Sequence, residues 1–130
     1  MNNARPATSN QQPATSNGLG KNEIIRRSQS ISEIFSSGRF QRGRWFDIAY
    51  TLGITRQAAF AATKRIRTAV ERNRIKRRLR EAYRLEKNNF HERIQLVLIG
   101  HESVAQAPLD DLRDEMRKMA VRLRSPLRSP

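Results

Sequence analysis

From Ala69 to Arg84 the chain reads Ala-Val-Glu-Arg-Asn-Arg-Ile-Lys-Arg-Arg-Leu-Arg-Glu-Ala-Tyr-Arg, a cation-dense run that still keeps an apolar period. At roughly 100° per residue, Ile75, Leu79, Ala82 and Tyr83 fall within about a third of a helix circumference, which predicts a helix docked on a core through that stripe. Asn73, Arg77, Arg80 and Arg84 then gather nearly opposite Ile75, with Lys76 on their shoulder, while Arg74 and Arg78 flank the stripe on its other edge. A fold that hosts this helix must cover one side of it and leave the other to solvent or to a partner.

Charge runs commonly do no more than solvate an exposed helix. Here ten basic residues between Lys64 and Arg84 are set against only Glu71 and Glu81, too few for complementary i,i+4 pairs to neutralise the face. A polyanion relieves such self-repulsion through Coulomb attraction and counterion release. The whole chain carries a formal charge of +14, and 21 of its 26 basic residues are Arg, whose planar fork grips phosphate through two hydrogen bonds and stacks on bases. Nucleic acid is the partner these features predict.

With 130 residues and 37% hydrophobic content the chain has room for one compact domain with one modest core, plus a tail. It has no Cys, which excludes disulfide partners, thiolate zinc sites and cysteine nucleophiles. No apolar run approaches the roughly 20 residues needed to span a bilayer, and the N-terminus lacks the basic-then-apolar layout of a signal peptide. A cytoplasmic protein without a membrane partner is expected.

Residues 1–20 hold a near-duplication, Pro6-Ala-Thr-Ser-Asn10 and Pro13-Ala-Thr-Ser-Asn17, with Arg5 as the only charged side chain, and are expected to be a disordered tail. The domain is expected over 21–124. Its order should begin near Ser30, where Ser30-Ile-Ser-Glu33 has the form of a capping box and Ile31, Ile34 and Phe35 make a short apolar stripe that Gly38 stops. From Arg44 to Leu52 alternation puts Phe46, Ile48, Tyr50 and Leu52 on one face of a strand. Gln57 to Thr63 is ambiguous: alanine content favours helix, whereas Phe60 and the flanking turn allow a returning strand. Ile94 to Ile99 reads as a buried central strand ended by Gly100. Leu109, Leu112, Met116, Met119, Ala120 and Leu123 then recur at helical spacing, with Asp110, Asp111 and Asp114 complementing the N-terminal dipole. Residues 125–130 close the chain as a frayed basic end.

The run Val70-Glu-Arg-Asn-Arg-Ile-Lys-Arg-Arg-Leu-Arg-Glu-Ala-Tyr-Arg84 strongly resembles the protein subunit of bacterial ribonuclease P, whose hallmark is an Arg-Asn-Arg core followed by a basic amphipathic helix. The likeness extends over roughly residues 21 to 124. It implies an α/β fold, sandwich-like in its α+β layering, with a four-stranded sheet and the basic helix in a left-handed βαβ crossover between parallel strands. That resolves Gln57 to Thr63 as strand. It also implies the catalytic ribonuclease P RNA and the 5′ leader of precursor tRNA as partners, endonucleolytic removal of that leader, and a catalytic centre on the RNA. Magnesium is expected mainly through the RNA subunit, with no catalytic or metal-ligating residue on the protein.

Carried over by position, Arg72, Asn73 and Arg74 are the hallmark motif, Lys76, Arg77, Arg80 and Arg84 continue the RNA-facing surface, and Lys64 and Arg65 are the upstream basic pair. Ile31 and Phe35 match a cleft that contacts the single-stranded leader. The chain departs from the family pattern at Ile31, often Phe, and at Arg67, usually Gly. Two other readings compete. A structural RNA-binding protein such as a ribosomal protein would share the charge pattern. A protein-only nuclease would have to draw on His91, His101, Asp47 and Glu102, which fit no local metal-ligand motif.

Overall fold

The computed structural model describes residues 19–128, with side chains described as far as Leu123. Of the two terminal segments set apart by composition, residues 1–18 and 129–130 lie outside the described residues, and from 125 to 128 only a helical backbone course is described.

The chain runs α1 (Ser28–Ser37), β1 (Arg39–Gln41), β2 (Phe46–Leu52), β3 (Gln57–Ala62), α2 (Ala69–Glu86), β4 (Ile94–Gly100) and α3 (Leu109–Arg128). The four strands form one mixed sheet in the order β1-β2-β4-β3. β1 pairs with β2, and β2 with β4, in antiparallel fashion, whereas β3 and β4 lie parallel, from Gln57 opposite Gln95 to Ala62 opposite Gly100. Parallel neighbours need a long connection. Here it is α2, so the basic helix is tied to the sheet at both of its ends.

Both faces of the sheet are covered. On one, Phe46, Ile48, Tyr50, Ala58, Ile94, Leu96 and Leu98 pack beneath Ile75, Leu79, Ala82 and Tyr83 of α2 and Leu112, Met116, Met119, Ala120 and Leu123 of α3. On the other, Ala49, Ala59 and Val97 lie beneath Ile25 and Ile34. Burial from both sides explains why Ile94–Ile99 is almost uniformly apolar. The expected stripe of α2 is the buried one, and Thr68 caps the helix by accepting a hydrogen bond from the Glu71 N–H at 3.2 Å.

One expectation needs correction, and one ambiguity is resolved. The first helix starts at Ser28 rather than at a Ser30 capping box, with Arg27 at the N-cap position and no side-chain cap. Order also begins earlier, in a 3-10 turn at Lys21–Glu23, after which Ile24 bridges to Ala58 and the Ile25 N–H donates to the Ala58 carbonyl at 2.8 Å. The ambiguity lies at Gln57–Ala62. Propensity alone favours helix there, yet the segment is strand β3, as the family resemblance implies. Tertiary packing overrides the alanine preference: Ala58 and Ala59 are buried on opposite faces, where larger side chains would hold α2 and α1 off the sheet.

Candidate nucleic-acid interface

Between the N-terminal segment, α1, β3 and α2 lies a groove of about 520 Å³. Ile24, Ile25, Ile31, Ala59 and Phe60 give it an apolar floor, and Asn73, Lys76, Arg77 and Arg80 form one wall. The wall follows from helical spacing, since these four side chains lie on the side of α2 turned away from the Ile75–Leu79 contact with the sheet. Phe60 is half-buried and meets the Tyr83 ring edge-on, with centroids 5.8 Å apart. An apolar floor beside a cationic wall suits an unpaired nucleotide strand, whose bases and phosphates make the two matching demands.

The cations of α2 divide into two kinds. The side chains of Asn73, Arg74, Lys76, Arg77 and Arg80 make no hydrogen bond or ion pair among the described residues, so their polar groups are available to a ligand. Others are engaged within the protein. The Arg72 guanidinium donates through Nη1 to the carbonyls of Ile66 at 2.8 Å and Arg67 at 3.0 Å. Arg78 donates through Nε to Val104 O at 2.9 Å and through Nη2 to Ala107 O, anchoring α2 to the turn before α3. Arg84 pairs with Glu81 at 2.6 Å, and that hydrogen bond, with the charge behind it, holds the Glu81 carboxyl below its ordinary range.

The hallmark triplet therefore fans around the helix. Arg72 turns to the preceding loop, Asn73 to the groove, and Arg74 to a second, smaller concavity that it lines with Arg77, Arg78, Glu81 and Leu109. Arg77 lines both concavities and stands on the crest between them. Lys64 and Arg65 are exposed in the turn leading into α2, outside the groove lining, and buried Ile66 pins that turn. Of the two cleft candidates, Ile31 lines the groove, whereas Phe35 lies beyond its lining and is 50% exposed. The sequence marks Phe60 only as a strand residue and gives Ile24 and Ile25 no role at a site. The Ile24-Ile25 pair ahead of Arg26-Arg27 is the sequence hint of the first two.

Buried charge fixes the frame behind this surface. Glu86 accepts hydrogen bonds from Arg113 Nε at 2.7 Å, Arg117 Nη1 at 2.9 Å and Asn89 Nδ2 at 2.9 Å, joining the end of α2 to α3. Lys87 Nζ donates to Glu23 at 2.7 Å, which ties the N-terminal turn to the same place. Burial pushes the Glu23 carboxyl up, but the Gly20 N–H, Lys87 and the charge of Arg56 together outweigh it and leave it below its ordinary value. Burial likewise pushes the Tyr83 phenol up.

Of the residues a nuclease would draw on, His101 Nε2 lies 3.1 Å from Asp47 Oδ1 and its Nδ1 3.2 Å from the Arg44 carbonyl. His91 Nδ1 accepts from its neighbour Arg93 N–H at 3.0 Å. Among the described residues no three His, Asp or Glu side chains converge as a metal-ligand set, and no helix is long and apolar enough to cross a membrane.

The family model described as Ribonuclease P matches residues 19–124 of this chain. The chain belongs to that family. Its relatives include the ribonuclease P protein component of Porphyromonas gingivalis, 38% identical over 89 residues that cover 64% of each chain. That of Desulforapulum autotrophicum is 33% identical over 102 residues, covering 76% of this chain and 86% of the other. The match thus spans somewhat less than two thirds of the Porphyromonas protein and most of the Desulforapulum one. In fold, the ribonuclease P protein from Thermotoga maritima superposes with a TM-score of 0.66 at 19% identity, over 77% of this chain and 96% of that one. The four-stranded mixed sheet with three helices is the architecture of ribonuclease P proteins.

Proposed function

We propose that this chain is the protein subunit of ribonuclease P and acts in the cytoplasm. In this reading α2 docks on phosphates of the catalytic RNA through its Arg74–Arg77 side, while the groove holds the 5′ leader of precursor tRNA against Ile31 and Phe60. Together the two contacts raise precursor affinity for endonucleolytic removal of the leader. The observation that carries this reading is the groove itself, in which Lys76, Arg77 and Arg80 stand unengaged beside an apolar floor.

Hydrolysis belongs to the RNA subunit and its magnesium ions in this reading. The described side chains of the protein do not fit a metal cage, and His101 and Asp47 face each other and the backbone of the loop before β2. What the protein supplies is fixed positive charge. Cations held on α2 offset part of the polyanion field that mobile ions otherwise screen, so divalent sites on the RNA fill at lower magnesium concentration.

The test is cleavage of a precursor tRNA by its cognate ribonuclease P RNA at low, near-physiological magnesium, with and without this protein, alongside the protein alone. Stimulation only when both components are present is expected. No stimulation would return the chain to the class of structural RNA-binding proteins, and cleavage by the protein alone would place the chemistry on it.

A further inference from the structure

Between Lys64 and Arg84 a surface suited to a polyanion carries two acids, Glu71 and Glu81. Glu71 stands in the first turn of α2, where the helix dipole favours a carboxylate. Glu81 has no such place. It lines the second concavity, a space of about 280 Å³, together with Arg74, Arg77, Arg78 and Leu109. A carboxylate there repels the phosphates that the unengaged Arg74 and Arg77 are free to bind. Its ion pair with Arg84 at i,i+3 would form as well on any exposed helix face.

The geometry of Glu81 is that of a fixed acceptor. Arg84 donates through Nε to Oε1 at 3.2 Å and through Nη2 to Oε2 at 2.6 Å, a two-point hold that sets the plane of the carboxylate. That hold keeps the carboxyl ionised, so it can only accept, and the side chain is still 45% exposed. The wall beside it is equally set. Arg78 is anchored to the carbonyls of Val104 and Ala107, and half-buried Leu109 adds an apolar surface. One small space thus holds two free guanidinium groups, an apolar patch and an oriented acceptor. A row of phosphates would use the first and be repelled by the last, whereas a nucleotide that also turns a donor inward satisfies all three. We propose that Glu81 is a specificity-determining residue, accepting a hydrogen bond from a neutral donor of the catalytic RNA, a guanine amino group or a ribose 2′-hydroxyl, while Arg74 and Arg77 hold the adjoining phosphate. This rests on the reading of α2 as the docking surface for that RNA, and adds a contact that tells it from other polyanions.

The experiment compares wild-type, Glu81→Ala and Glu81→Gln full-length protein in binding to ribonuclease P RNA and to an unrelated structured RNA of similar length. Glu81→Ala is expected to raise the Kd for ribonuclease P RNA about tenfold, the lower end of what a hydrogen bond to a charged group contributes. For the unrelated RNA its Kd should stay level or fall, because a negative charge has left the surface. Glu81→Gln, which keeps one neutral acceptor oxygen, should fall between the two. Charge alone predicts the opposite sign, tighter binding of both RNAs by both variants. That result, or equal weakening on both RNAs, overturns the proposal. If wild type itself shows no preference for ribonuclease P RNA, the docking reading falls and this proposal with it. Analogue interference then names the donor: scattered inosine reports a guanine amino group, and scattered 2′-deoxynucleotides report a hydroxyl. A site of interference seen with wild type and lost with Glu81→Ala is expected in one of the two arms; its absence from both overturns the proposal.

Discussion

Arg72 Nη1 lies 2.8 Å from the carbonyl oxygen of Ile66, so the first Arg of the hallmark triplet spends at least one of its donors on the loop before its own helix. That loop carries Lys64 and Arg65. Its shape depends on Ile66 as an apolar pin and on Arg72 as a polar one. Arg72 is therefore a positioning residue for the upstream basic pair, whatever its remaining donors touch.

Arg72→Ala and Arg77→Ala are expected to separate. The first removes charge-assisted hydrogen bonds to two backbone acceptors and should lower stability by about 1–2 kcal/mol. The second removes a side chain without a partner among the described residues and should leave the thermal midpoint within experimental scatter while weakening RNA binding. Paired thermal melts and RNA titrations on both variants check this; equal stability of the two would refute the positioning role.

Glu86→Ala should destabilise the fold by about 2–3 kcal/mol, read from the midpoint of urea unfolding. This is less than the roughly 3–5 kcal/mol for breaking a fully buried pair, because Arg113 and Arg117, 35% and 48% exposed, regain water when the carboxylate is lost. A loss below 1 kcal/mol would show that the α2–α3 junction does not depend on this carboxylate.

Glu23 gives the fold an acid-sensitive contact. Its carboxyl is held below the ordinary value of 4.5 in the folded chain, so the unfolded chain binds the proton more readily. The stability this contributes is present above about pH 4.5 and is lost as the pH falls through the depressed folded value. Stability profiles of wild type and Glu23→Gln should therefore converge at low pH and separate toward neutrality, with the wild type more stable there.

Gly38→Ala tests the seating of α1. A Cβ at Gly38 would fall 2.5 Å from the carbonyl oxygens of both Ile34 and Tyr50, which are backbone atoms held by α1 and β2. Relief requires the helix to move off the sheet, at a cost of about 1–3 kcal/mol. Because Ile31 belongs to the same helix and lines the groove, affinity for leader-bearing precursor should fall as well. Unchanged denaturation and binding would mean that α1 adjusts freely.

The parts legible in the sequence were those with a long period. Ile75, Leu79, Ala82 and Tyr83 announce α2, and the Leu109–Leu123 spacing announces α3, because a docked helix repeats its demand over several turns. β1 leaves no mark in the sequence because three residues hold no period. Gln57–Ala62 read as helix on propensity because alanine reports only local preference, whereas its conformation is set by β4 beside it and helices on both faces. At the site, Asn73, Lys76, Arg77 and Arg80 could be grouped from helical geometry alone. The engagement of Arg72 with Ile66 and Arg67 could not, since backbone acceptors leave no mark in sequence. Neither could Ile24 and Phe60 as partners in one floor, which long-range pairing through Ala58 brings together.

That the unengaged cations of the groove wall bind leader phosphates is tested most directly by the salt dependence with which the holoenzyme binds leader-bearing precursor tRNA. Wild type would be compared with a Lys76→Ala, Arg77→Ala, Arg80→Ala triple variant of matched thermal stability. Each phosphate contact contributes about 0.7–0.9 to the slope of log K against log salt, so loss of three should flatten it by about 2–3 and lower affinity at every salt concentration in the titration. An unchanged slope and affinity would contradict the account.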